Sequence, residues 1–180
     1  MEQYNFDLDQ EMIKVLSKEF DPLHFVKALE LSHVKDLEDV KTSFEVYGRK
    51  LARRSIERGE ERTDRTYDVM KKAIEKTGEM NFPLVPQRYI EIAYLSTQPF
   101  KRLWVLLNSP KVFSYRLNEC TIHQLIREEH GEELANSVVC KSACLAIIDE
   151  IFSHFGFKVD ASLEANMTSA GYCRFKIEKK

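Results

Sequence analysis

The chain has 180 residues, of which 43% are hydrophobic and 31% charged, with a formal net charge of −2. That length and balance describe a globular domain with a sizeable core, and the charge gives no general pull toward nucleic acid or acidic membranes. The longest apolar runs, such as Leu103 to Leu107, are too short to span a bilayer, and Met1 to Gln10 is acidic and polar, unlike a secretory leader.

The first 80 residues read as helices. Asp7 or Asp9 is placed to cap a short one ending near Phe20. Asp21-Pro22 is a standard helix opening, an acidic cap followed by Pro at the first helical position. Ser32 is expected to cap a longer helix in which Leu37, Val40, Phe44, Tyr47, Leu51 and Ile56 recur at three- and four-residue steps. Gly48 inside it suggests close approach of a neighbour, and Gly59 is expected to end it. The basic run Arg49, Lys50, Arg53, Arg54 and Arg58 is followed by Glu57, Glu60, Glu61 and Asp64, as on a solvated helix face. Thr63 or Asp64 should cap another helix with Tyr67, Met70 and Ile74 inward, stopped by Gly78. Phe6, Phe20 and Phe25 offer more apolar surface than one short helix hides, which points to a homodimer.

Pro83 and Pro86 mark a hinge between this helical part (about 1–80) and a mixed part (about 81–180) of one domain. Tyr89 to Leu95 fits either a strand or a helix, with strand preferred. Val112 to Leu117 alternates, with Phe113, Tyr115 and Leu117 on one face, and the turn at Asn108 to Lys111 makes Arg102 to Leu107 its hairpin partner. Thr121 or Asn118 opens a helix closed by Gly131. Glu132 to Phe155 reads as one long helix, apolar on most faces and therefore central, capped by Gly156. Two alternating strands follow, Phe157 to Leu163 and Cys173 to Ile177, joined through Thr168 to Gly171. The expected class is α+β: N-terminal helices, then a small antiparallel sheet packed against a buried C-terminal helix.

The four cysteines, at 120, 140, 144 and 173, carry the chemistry. In a chain this large without a secretory leader they are expected to be reduced thiols in the cytoplasm. Cys140 and Cys144 share a helix face, as two small core residues or as a thiol pair facing a pocket. Cys120 lies where a strand gives way to a helix, and helix N-termini favour thiolate. His123, three residues on, is a candidate base, so Cys120 and His123 form the candidate catalytic pair. Tyr89, Trp104, Phe113 and Tyr115 are candidate ligand-lining aromatics. His24, His33, His130 and His154 have no convergent spacing and read as surface residues. Pairing the apolar faces of the last two strands sets Leu163 opposite Cys173 and Ala161 opposite Phe175. Glu164 then faces away from Cys173 unless a bulge re-aims one of them. The chain has no phosphate-cradling glycine loop, no His-Glu-x-x-His, no Cys-x-x-Cys and no Gly-x-Ser-x-Gly, which argues against nucleotide chemistry and zincin-type hydrolysis.

Asn118-Glu119-Cys120-Thr121-Ile122-His123, Val139-Cys140-Lys141 and Gly171-Tyr172-Cys173-Arg174-Phe175 resemble the L-2-amino-thiazoline-4-carboxylic acid hydrolase-like family, and Tyr47-Gly48-Arg49-Lys50-Leu51 looks like that family's early helix. The resemblance implies a hydrolase-like domain acting on a small sulfur- or nitrogen-containing molecule, with Cys120 as nucleophile, His123 as its base, and Cys140 and Cys144 lining the site; Cys173, Tyr115 and Trp104 are further candidate binding residues. The buried helix followed by Glu164 and Cys173 is more distantly similar to the 4-vinyl reductase domain. That likeness implies a non-catalytic module for an apolar ligand, in which Cys140, Glu164 and Cys173 would hold zinc and the fourth ligand position would fall near Met167.

Overall fold

The computed structural model describes residues 10–29, 37–61, 72, 75, 76, 82, 84–98 and 103–180. The expectations placed on Phe6, Asp7, Asp9, Ser32, His33, Thr63, Asp64, Tyr67, Met70, Ile74, Gly78 and Pro83 lie outside them.

Among the described residues the helices are α1 (Gln10–Glu19), α2 (Pro22–Lys27), α3 (Leu37–Glu61), α4 (Leu84–Thr97), α5 (Thr121–His130), α6 (Glu132–Asn136), α7 (Lys141–His154) and α8 (Met167–Ala170). The strands are β1 (Trp104–Asn108), β2 (Val112–Leu117), β3 (Val159–Ala165) and β4 (Cys173–Lys179). They form one antiparallel sheet in the order β1-β2-β4-β3. The fold is α+β, as expected. None of the described helices is long and apolar enough to cross a membrane.

Asp21 caps α2 as read from the sequence, its carboxylate accepting from the Leu23 N–H at 3.0 Å with Pro22 in the first turn. Of the aromatics assigned to a dimer, Phe20 and Phe25 make contacts within the chain. Phe25 stacks on Tyr47 at 4.2 Å between centroids and meets Phe44 edge-on, while Phe20 meets Tyr47 edge-on. The arginines of the basic run on α3 are paired at the surface: Arg49 reaches Glu45, Asp149 and Glu150, Arg53 reaches Glu150, Arg54 reaches Glu19 and Glu57, and Arg58 reaches Glu61.

Helices α3 and α7 make the most extensive helix pair, and Gly48 is why they approach so closely. A Cβ at Gly48 would stand 2.3 Å from the Ala143 carbonyl oxygen. Gly59 does not end α3; it lies within it, under the ring of Tyr89.

Three readings are corrected. Tyr89 to Leu95 is helical, not a strand, because α4 is enclosed on nearly every side. Val85, Tyr89, Ile90, Ile92, Ala93 and Tyr94 are all core residues, so no helical period survives in its pattern. The stretch Glu132 to Phe155 is two helices, not one. Between them Val138 takes φ +54°, a left-handed backbone that costs a β-branched residue roughly 1–3 kcal/mol. Periodicity cannot report such a break when apolar residues continue on both sides. The last hairpin is two residues out of the expected register, with Leu163 opposite Phe175 and Ala161 opposite Ile177. A two-residue shift preserves parity, so the same side chains still face the core. The connection is a capped helical turn: Asn166 accepts from the Ser169 N–H at 3.0 Å, and Gly171 closes the turn at φ +72°.

Candidate functional site

The four thiols converge. Cys173 begins β4 opposite Leu117 at the end of β2, and a two-residue step from Leu117 leads into Cys120 at the start of α5. Cys140 stands at the N-cap of α7, and Cys144 lies one turn into that helix. All four are unoxidised and 5–9% exposed.

Cys120, rather than Thr121 or Asn118, is the cap of α5. Its sulfur accepts from the His123 backbone N–H at 3.4 Å and also from the Ile122 N–H. The next free N–H of that first turn, on Thr121, is bound by the Gln98 side-chain carbonyl at 3.0 Å, so the end of α4 fixes where α5 begins. Cys140 donates its S–H to Cys120. This Cys140 hydrogen bond does most to pull the Cys120 thiol below the ordinary range; burial opposes it, and the two backbone N–H groups add to it. Cys140 is correspondingly pushed well up, first by the same bond and then by burial. Burial raises Cys144, and pushes Cys173 up to about 12, with the Cys120 charge acting in the same direction on both. The cluster therefore holds one sulfur whose thiol is drawn below the ordinary range beside three that are pushed above it.

Tyr94 and Tyr115 complete this centre. Their hydroxyls are 3.1 Å apart, both rings are buried, and the Tyr94 hydroxyl also bonds the Cys144 thiol. Reading α4 as a strand hid Tyr94. The signal that could have found it is Tyr89 and Tyr94 flanking an apolar run that ends in Ser96-Thr97-Gln98.

His123 is not placed as the base expected of it. Its ring bonds the Thr168 hydroxyl at 3.4 Å and the Ala135 backbone, and its link to Cys120 runs through its own backbone N–H. Burial and the nearby Arg127 charge hold the imidazole below its ordinary range. His130 is not a free surface residue either, since its Nε2 is bonded to the Val26 carbonyl at 2.8 Å.

The other aromatic candidates separate. Tyr115 belongs to the thiol centre, whereas Trp104 lies on the edge strand, 41% exposed, against the Arg116 guanidinium. Phe113 is at the far end of β2, paired with Ile177. Tyr89 stacks on Phe155, eleven residues along from Cys144 and hence roughly 16 Å down the α7 axis.

Glu164 is not brought to the cysteines. A bulge does interrupt the register between Leu163 and Ala165, but Glu164 pairs with Arg174 at 3.0 Å on the outer face of the sheet. The set Cys140, Glu164 and Cys173 therefore does not fit zinc. Among the described residues no three His, Cys, Asp or Glu side chains stand in metal-holding geometry.

The sequence matches no family model and no curated protein. Its reading rests on this geometry.

Proposed function

We propose that the chain is a small-molecule-binding domain with a thiol-lined site, and that Cys120 attacks an electrophilic carbon of a small sulfur- and nitrogen-containing compound, as the likeness to the thiazoline-carboxylate hydrolases implies. The observation that carries this reading is the Cys120 sulfur, which accepts from two N–H groups at the start of α5 and from the Cys140 thiol. A sulfur so held has its thiol drawn below the ordinary cysteine range, toward the thiolate, which is the attacking species. Attack forms a bond between the Cys120 sulfur and that carbon as the ring carbon–sulfur bond breaks to release a thiol, and water then cleaves the covalent intermediate and returns the Cys120 thiol. Cys144, Cys173, Tyr94 and Tyr115 supply a largely apolar wall with few polar contacts, the usual character of a small-ligand site.

The probe is 2-amino-thiazoline-4-carboxylate, its ring opening followed as release of a new thiol. Wild-type protein is expected to turn it over and Cys120→Ser to lose turnover. Serine is at least as good a helix cap as cysteine, so the variant should fold and melt like the wild type. His123→Asn is expected to keep most of the turnover, because the backbone N–H that touches Cys120 remains. No turnover and no binding of the probe by calorimetry would overturn the proposal.

A second reading, a non-catalytic module of the 4-vinyl reductase type, is favoured by the near-complete burial of the thiols. Equal binding by wild type and Cys120→Ser, without turnover in either, would select it.

A further inference from the structure

The two edges of the sheet differ in chemistry. β3 carries Asp160 and Glu164, charges of the kind that keep a further strand from joining an edge. β1, at the other edge, has no charged residue and no proline, and Trp104, Val105, Leu106 and Leu107 are 39–49% exposed. The bulge between Val105 and Leu107 bends that edge without covering it. The charge around β1 is one-sided. From residue 92 to residue 118 the chain has no Asp or Glu, while Lys101, Arg102, Lys111 and Arg116 fall in the same stretch. On the outer face Arg116 lies opposite Trp104 and beside Arg174. Its guanidinium is 5.7 Å from the centre of the Trp104 ring and 4.9 Å from that of Tyr172. Arg174 has Glu164 as its partner and Lys176 has Glu178. Among the described residues Arg116 has no such carboxylate, and its Nε makes no hydrogen bond. Two aromatic rings thus hold one unmatched cation beside an open, apolar strand edge.

We propose that β1 is a docking edge for an extended, acidic segment of another protein, which joins the sheet as a strand and sets a carboxylate against Arg116. Main-chain hydrogen bonds to β1 supply affinity, and the carboxylate supplies selectivity. Two strand spacings, roughly 10 Å, separate the incoming backbone from that of Arg116, and the two side chains meet across the Trp104 ring. A second copy of the chain is a poorer occupant, because it would set one acid-free, basic hairpin against another. Tyr115, Leu117 and Cys173 face the core from the same strands, so this surface stands or falls independently of the thiol site.

Trp104 is the chain's single tryptophan, so its fluorescence reports on this edge alone. The probes are the acetylated, amidated peptide Thr-Val-Thr-Glu-Thr-Val-Thr and the same peptide with Gln in place of Glu, each titrated into the full chain. The glutamate peptide is expected to shift the Trp104 emission to the blue saturably and to slow hydrogen exchange in Trp104–Asn108. It should bind roughly fivefold more tightly than the glutamine peptide, the upper end for an exposed ion pair. Arg116→Gln is expected to bind the two peptides equally. No saturable change with either peptide, equal affinities in wild type, a preference that survives in Arg116→Gln, or unchanged exchange in β1 at saturation would each overturn the proposal. So would sedimentation showing that the chain alone dimerises and that the dimer excludes the peptide, since a second copy would then be the occupant. The wild-type comparison is decisive even if Arg116→Gln fails to fold.

Discussion

Gly48→Ala is expected to destabilise the protein by about 3 kcal/mol or more, larger than the usual cost of adding one methyl group to a core. The new Cβ would stand 2.3 Å from the Ala143 carbonyl oxygen, 2.8 Å from its Cα and 2.9 Å from its carbonyl carbon. All three are backbone atoms, so no side-chain rotation relieves the clash and α3 must separate from α7. For a chain of this size the melting temperature should fall by roughly 6–12 °C. Gly131→Ala is the comparison: its φ of +92° makes alanine strained, but nothing lies within 4 Å, so a loss of only about 1–2 kcal/mol is expected. Thermal and urea unfolding decide the matter. Equal losses for the two variants would mean that the α3–α7 approach is looser than described. Because Ala143 adjoins Cys144 and follows Cys140 by three residues, Gly48→Ala should also displace Cys140 from Cys120 and slow the thiol chemistry.

The second large effect concerns Glu91, buried in α4. Its carboxylate accepts from the Gln87 amide at 3.0 Å, and the Gln87 carbonyl accepts in turn from Asn108 at 2.9 Å. Burial pushes the Glu91 carboxyl up to about 7, and the Gln87 bond offsets only part of that rise. An acid whose pKa is higher folded than unfolded binds more protons in the native state. Its contribution is thus fully present below about 4.3 and is lost as pH rises to about 7, flat thereafter. The loss is on the order of 3 kcal/mol. The buried His123, held below its ordinary pKa, works the other way below about 6.5. The informative quantity is therefore the difference between wild type and Glu91→Gln, which keeps the hydrogen bond and carries no charge. Glu91→Gln should match wild type near pH 5 and exceed it above pH 7. A variant less stable than wild type at pH 8 would mean that Glu91 is held as an anion by a positive partner.

The sequence carried much of this fold, for reasons specific to each element. Asp21-Pro22 announces α2 because both residues act locally. The alternation of Val112 to Leu117 marks a strand because one face is buried and the other is not. Where both sides are buried the signal disappears, which is why α4 looks like a strand. The same burial hides the break at Val138 inside what looks like one helix. Cys120 and Cys173 were legible at element ends, but Cys140 was not, because the break that puts it at the start of α7 is hidden in the same apolar run. The capping role of Cys120 was less legible, since cysteine is not a usual cap and only the geometry shows its sulfur taking backbone N–H groups. The site also depends on partners remote in sequence. Nothing local to His123 shows that its ring goes to Thr168, or that Gln98 reaches the Thr121 N–H.

Absorbance of thiolate near 240 nm, followed as pH is raised on the reduced, folded chain, bears most directly on the idea that one sulfur among four is singled out. One thiolate should appear below the ordinary cysteine value of about 8.5, vanish in Cys120→Ser, and move to higher pH in Cys140→Ala. A wild-type chain that shows no thiolate until well above that value, or one that loses its early thiolate when Cys144 or Cys173 is replaced but not Cys120, contradicts the account.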